Sequence, residues 1–302
     1  MLTRRSLLLS SLAVPALGVS GVGAYAVSVE PLLITEVTRY HLRPPAWPAG
    51  LRLTIAAIAD VHACEPWMSV ARIEQIVQIT NALGADVIAL LGDYVAGHTK
   101  ITAFVPNRDW AKALASLRAP LGVYAILGNH DWWADAAAQA RGRGPTAARI
   151  ALEKAGVPVL ENEAVALSKD GARFWLAGLG DQLAIRDWYS TLLESGRGVD
   201  DLPATIDAVA DDAPIVLLAH EPDIFPNVPE RVAVTLSGHT HGGQVRLPGL
   251  RPFAPSALSR KYLYGHFFEK NRNLIVSGGL GCSWWPVRLG VPPEIVLVEI
   301  VA

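Results

Sequence analysis

Gly238-His239-Thr240-His241-Gly242-Gly243-Gln244 stands one serine beyond the apolar run Val232-Ala233-Val234-Thr235-Leu236. An extended segment turns its side chains alternately to opposite sides, so positions i and i+2 share a side. His239 and His241 therefore face one point past the strand's end. The glycines on either side let the backbone turn tightly and approach a bound group. Imidazole is the commonest metal ligand among side chains. By itself a His-x-His pair also reads as two ordinary surface histidines. The decision rests on whether other strand ends supply further ligands.

They do. The apolar run 51–58 predicts a strand ending at Asp60-Val61-His62, again two ligand types at i and i+2. Residues 86–91 are almost wholly apolar, as in a strand buried on both faces, and end at Gly92-Asp93. Residues 122–127 form a third such run, ending at Gly128-Asn129-His130-Asp131. Between them the pattern predicts a helix from the N-cap Ser69 to the C-cap Gly84, with Val70, Ile73, Val77 and Leu83 on one face, and another over 109–117. A β-α-β-α-β succession with ligands at each carboxyl end matches the edge where open α/β sheets bind. Beyond a helix at 145–154, shorter strands at 157–167 and 174–179 predict a second sheet, and 185–194 reads as helical. The apolar run 213–219 ends at His220-Glu221-Pro222, and 274–277 and 294–298 are two more strands. The expected fold class is α/β: a two-sheet β-sandwich with flanking helices, arranged αββα. The expected organisation is an export signal or membrane anchor at 1–29, a Pro-rich lead-in at 30–50 draped over the surface, and one domain at 51–302.

Each site has a bland reading. A histidine at a strand end is commonly a hydrogen-bonded structural residue, Gly-Asp is a common turn pair, and Asn-His-Asp can simply cap a helix. Five of the eight histidines nevertheless fall at these ends, and that repetition is hard to obtain by accident. In this order the five motifs resemble the calcineurin-like metallophosphoesterases, over residue 50 to the C-terminus. Gly-His-Thr-His-Gly-Gly-Gln and the late Gly281, Pro286-Val287-Arg288 and Pro293-Glu294 look like the exported or membrane-associated phosphodiesterase branch. Proteins similar to it include UDP-2,3-diacylglucosamine hydrolases of lipid A synthesis. The resemblance implies that Asp60, His62 and His241 hold one metal, that Asn129, His220 and His239 hold the other, and that Asp93 bridges them. It implies His130 as the acid or electrostatic stabiliser beside the phosphate, with Asp131 orienting it.

The chemistry agrees. Hydrolysing a phosphoester needs a strong nucleophile and neutralised oxyanions. Two divalent ions about 3.5–4 Å apart supply both, lowering the pKa of bound water from about 15.7 towards 7. A carboxylate has two oxygens and can bridge, which a histidine cannot. Mixed nitrogen and oxygen ligation suits manganese, iron or zinc and disfavours calcium. The expected function is a dinuclear phosphodiester hydrolase, with metal-bound hydroxide attacking phosphorus on a membrane-associated, glycolipid or nucleotide-linked substrate. A phosphomonoesterase or protein phosphatase is the alternative on the same site. A non-catalytic metal-stabilised scaffold is a third reading, disfavoured because His130 and Asp131 are both present.

A formal net charge of -2 lacks the basic footprint of general nucleic-acid binding. Two cysteines, Cys64 and Cys282, make neither a disulfide framework nor a cysteine-built zinc site. Arg4-Arg5 precedes an uncharged run from Ser6 to Val29, which reads as a twin-arginine export signal served by export machinery, with Ala24-Tyr25-Ala26 as a cleavage site, or as an anchor. Trp132-Trp133 and Trp284-Trp285 read as packing residues or as an aromatic rim for a base or acyl chain. His98 is either structural or within reach of the phosphate, and Asp181 reads as a turn residue.

Overall fold

The computed structural model describes residues 21–45, 47–187, 196–250, 252–254 and 256–302. Among these, two large sheets lie face to face. The first has five strands: β1 (Glu36–Leu42), β2 (Leu53–Ile58), β3 (Val87–Leu90), β4 (Val123–Ala125) and, from the chain's end, β11 (Glu294–Ile300), in the order β1-β11-β2-β3-β4. The second has six: β5 (Glu163–Lys169), β6 (Ala172–Gly178), β7 (Ile215–Leu218), β8 (Val232–Ser237), β9 (Gly265–Glu269) and β10 (Arg272–Val276), in the order β9-β10-β8-β7-β6-β5.

Period-two side-chain alternation builds the layers. Leu53, Ile55 and Ala57 of β2 and Val87 and Ala89 of β3 meet Val216, Leu218, Val234 and Leu236 between the sheets. The intervening residues Ala56, Ile58, Ile88 and Leu90 turn outward, under helices α2 (Val70–Ala82) and α3 (Asn107–Leu114). Ile215, Leu217 and Val232 turn the other way, against Ile206, Phe225 and Tyr262. Strands with apolar residues at every position are thus covered on both faces, as the sequence pattern required. Ser69 caps α2 by accepting a hydrogen bond from Arg72 N, and Gly84 takes φ +63 just beyond its end.

β2, β3 and β4 run parallel to one another, as do β6, β7, β8 and β10. The carboxyl ends of each parallel set therefore share an edge. There the loops after β2, β3 and β4 meet those after β7 and β8.

The structure departs from the sequence expectation in four places. The lead-in at 30–50 is not merely draped over the surface: Glu36–Leu42 forms β1, an edge strand parallel to β11. Its Thr38 hydroxyl donates to the buried Glu294 carboxylate. In place of a strand over 157–167, β5 starts at Glu163, and Val159 makes only an isolated bridge to Ala125. The helix expected at 185–194 begins instead as an extended pair, Ile185–Arg186 against Gly196–Arg197; residues 188–195 lie outside the described residues. β9 was not anticipated. The twin-arginine pair and most of the uncharged run also lie outside the described residues. Residues 21–33 are helical, with Ala26 and Glu30 buried. No helix among the described residues is long and apolar enough to cross a membrane.

One charged tie joins the layers. The Asp86 carboxylate accepts from Thr54 N at 2.7 Å, Thr54 Oγ1 at 2.8 Å and, from the second sheet, Lys169 Nζ at 2.6 Å. Burial alone would raise Asp86, but Lys169 and Thr54 outweigh it and hold the carboxyl below its ordinary 3.8. A depressed folded-state value means stability present above the unfolded value and lost as pH falls through the folded one. Asp86→Asn should cost about 1–2 kcal/mol at pH 7, allowing for partial exposure. In urea titrations the gap to wild type should close below pH 4; a gap independent of pH would contradict this tie.

Candidate metal centre

Asp60, His62, Asp93, His239 and His241 all adopt positive φ, between +47° and +69°. Non-glycine residues visit this region seldom and at a cost, and such backbone collects at functional sites. The turns it makes in three loops bring these side chains to one place, where Asn129 and His220 from two further loops join them. Gly128 allows the closest approach: a Cβ there would collide with the Asp93 carboxylate and stand 2.7 Å from His220 Cε1.

Candidate ligand atoms converge in overlapping groups. Asp60, His62 and His241 form one, Asp60, Asp93 and His220 a second, and His220, Glu221 and His239 a third. Asp93 Oδ2 lies 3.5 Å from His62 Nε2 and 3.4 Å from His220 Nε2. His62 Nε2 stands 3.1 Å from His241 Nε2, which is 3.5 Å from Asp60 Oδ1. His239 Nδ1 lies 3.1 Å from Asn129 Oδ1. The far nitrogens settle two tautomers. His62 Nδ1 donates to Val95 O at 2.8 Å and His220 Nδ1 to Leu91 O at 2.6 Å, which turns both Nε2 lone pairs inward. All seven predicted ligands are thus brought together, and each is at least nine-tenths buried.

The donor set fits cations. Burial pushes His62 down to about 3 and His241 well below its ordinary value, so both are neutral imidazoles with lone pairs to give. Burial and then the Asp93 charge raise Asp60 to about 6, against His220 and His239. Burial alone would also raise Asp93; His220, His130 and His62 overcome it and hold the carboxylate well below its usual range. Burial would depress His220, but Asp93, Glu221 and Asp60 lift it well above an ordinary imidazole. With His62 and His241 neutral, the carboxylates of this dry pocket are short of positive charge beyond the proton that His220 draws. Two divalent cations would supply it, held by Asp60, His62 and His241 on one side and Asn129, His220 and His239 on the other, with Asp93 between.

His130 stands at the mouth. Its backbone N donates to Asp93 Oδ1 at 2.9 Å, its Nε2 lies 3.3 Å from Ser283 Oγ, and its ring meets the His62 ring edge-on. Asp131 does not carry the expected contact to the His130 side chain. Its carboxylate instead accepts from the backbone N–H groups of Asp93, Tyr94, Val95 and Gly128, locking two ligand loops together. Burial, then the Asp93 charge, push Asp131 up to about 7.

Several residues that the sequence analysis named without these contacts take part. Arg288 is fully buried and places Nη2 3.2 Å from His241 Nδ1 while donating to the carbonyls of Gly278, Gly281 and Val291. Gln244 holds the loop over the site, accepting from Ser283 N and donating to Trp285 O and Val287 O. Asp181 makes the expected turn, its Oδ1 accepting from Leu183 N at 2.9 Å, and is also buried beside Glu221; burial followed by that neighbour's charge raise it well above its ordinary value. Trp132 is core, whereas Trp284 and Trp285 line a cavity of about 530 Å³ that opens from the ligand cluster. His98 lies edge-on to Trp67 and does not line that cavity. Both cysteines are free and buried.

Comparison with known proteins agrees with this geometry. The profile of the calcineurin-like phosphoesterase family matches residues 53–243. A metallophosphoesterase of Aquifex aeolicus, uncharacterised by its name, is 30% identical over 272 residues, spanning 88% of this chain and 91% of that protein. The Escherichia coli phosphodiesterase YaeI is 29% identical over 252 residues, 82% of each chain. A Caenorhabditis elegans protein described as a metallophosphoesterase is 30% identical over 258 residues, and the chain spans 48% of its length.

Because one Asp93 oxygen faces both histidine groups, Asp93→Asn should weaken both cations together. A loss beyond the about 10–100-fold typical of outer partners is expected at each. Titration with manganese, followed by metal analysis of the dialysed protein, reads this directly. Loss of one ion with the other retained would contradict the bridge.

Proposed function

The chain belongs to the calcineurin-like phosphoesterases, enzymes acting on phosphoester bonds, and from that premise we propose that it hydrolyses a phosphodiester at the Asp93 cluster. The observation that carries this reading is the Asp93 carboxylate set between His62 and His220. A pair of divalent ions there, manganese, iron or zinc, would supply Lewis acidity and an activated water.

The chain's own residues supply the rest. Asp60 and Asp93 contribute negative charge that offsets only part of two dications, so an anionic phosphate is drawn in despite the acidic chain. His130, at the cavity wall and beside Ser283, is placed to hydrogen-bond a phosphoryl oxygen or give a proton to the departing alcohol. Asp131 keeps the Asp93 and His130 loops in register through its four backbone contacts. Gln244 and Ser283 fix the opposite wall. The wall of Val245, Leu250, Phe253 and Trp285 supports a diester whose second group is apolar or aromatic, including a glycolipid or a nucleotide-linked substrate. A relative named as a phosphodiesterase supports the same reading. The uncharged N-terminal run supports an exported or membrane-held enzyme.

The test is turnover of bis-p-nitrophenyl phosphate against p-nitrophenyl phosphate in the manganese-loaded protein. The diester should be the faster substrate, chelation should abolish its turnover, and equal or better use of the monoester would overturn the diester reading. His130→Ala should lower kcat by about 10²–10⁴ with both ions retained; metal loss in parallel with activity would remove His130 from this role.

A further inference from the structure

Exposed large apolar side chains gather at the mouth of the metal cavity. Leu250, Phe253 and Trp285 line it and are 64%, 50% and 61% exposed, and Leu247, on the same loop as Leu250, is 40% exposed. They sit on two adjoining loops, joined where Gln244 donates to Trp285 O and Val287 O. A contiguous apolar rim on a soluble face marks a contact surface. Cations stand among them: Lys100 Nζ lies 3.8 Å from the Trp285 ring centroid, and Arg246 sits over Tyr264. Aromatic and aliphatic side chains interleaved with basic ones are the composition of an interfacial lipid contact.

A second observation names the occupant. The N-terminal helix is fastened to the same loop. Arg288 N, next to the cavity-lining Val287, donates to Ala26 O at 2.9 Å, and Val291 N donates to Glu30 Oε1 at 2.9 Å. Trp67 Nε1 donates to Val27 O at 2.9 Å. That helix is described from Gly21, and in the sequence fifteen uncharged residues, 6–20, headed by Arg4 and Arg5, stand before it. An apolar run preceded by two cations favours a bilayer with anionic headgroups. The described helix that follows it in sequence meets the rim loop at Ala26 and Arg288.

We propose that Leu247, Leu250, Phe253 and Trp285 seat the cavity mouth on a phospholipid bilayer, their side chains in the headgroup–acyl boundary and Lys100 and Arg246 against anionic headgroups. The metal cavity then opens onto the headgroup layer, and a phosphoester carried by a lipid reaches Asp93 without leaving the membrane. Only this last consequence rests on the phosphodiesterase reading.

The test uses the full chain reconstituted into phosphatidylcholine–phosphatidylglycerol vesicles with or without bromine on the acyl chains, read by tryptophan fluorescence. Bromine should quench the wild type, and Trp285→Phe should lose most of that quenching. Leu250→Glu with Phe253→Glu should lose it too, whereas Phe268→Glu, an exposed side chain on β9, should keep it. Quenching retained in full by Trp285→Phe would overturn the proposal, whether or not the double variant folds. So would absent quenching in a wild type that dimerises through the rim, which would assign the surface to a second copy. Intact quenching in a protein that fails to turn over any phosphodiester would sink the enzyme reading and leave the docking surface standing.

Discussion

One carboxylate, that of Asp93, stands between a histidine carried by the first sheet and a histidine carried by the second. That placement constrains nearly everything else. His62 follows β2 and His220 follows β7, so the two can share one carboxylate only if the sheets are stacked with their carboxyl edges aligned. The core between the sheets sets that alignment. Leu53, Ile55, Val87, Val216, Leu218 and Val234 interlock there with no exposed surface. Close-packed interiors transmit small displacements, so a shift in this layer would move the two histidines apart.

The site stores conformational and electrostatic cost. Five non-glycine residues hold left-handed backbone, at about 1–3 kcal/mol each, against a whole-domain margin of about 5–15 kcal/mol. Asp60 and Asp131 are lifted towards neutrality by burial and by Asp93. Cations bound among these groups would relieve the second of these costs, by replacing protons that the buried carboxylates otherwise take up. Metal binding would then be coupled to folding through the same groups. Arg288 extends the coupling: its guanidinium faces His241, and its backbone holds the N-terminal helix.

The strand-end cluster was legible because each of its residues follows an apolar run that only a strand buried on both faces would have. Asp60, His62, Asp93, Asn129, His220, His239 and His241 announce themselves by position as much as by type. β1 was not legible. Glu36, Arg39 and His41 break its apolar pattern because it lies at an edge, and its partner β11 comes from the far end of the chain. The partners of Asp131 escaped for a related reason. A carboxylate next to a histidine in sequence suggests a side-chain pair, yet its oxygens are taken by backbone N–H groups thirty-odd residues away. Arg288, Gln244 and Glu221 act through contacts across the fold, which spacing along the chain does not encode. The turn at Asp181 was legible from the glycine before it; its burial beside Glu221 comes only from the meeting of two loops.

The most direct measurement is an anomalous-scattering map from crystals grown with manganese. The account predicts two peaks about 3.5–4 Å apart with the Asp93 carboxylate touching both. One should sit among Asp60, His62 and His241, the other among Asn129, His220 and His239. A single peak, or two that do not share Asp93, would contradict it.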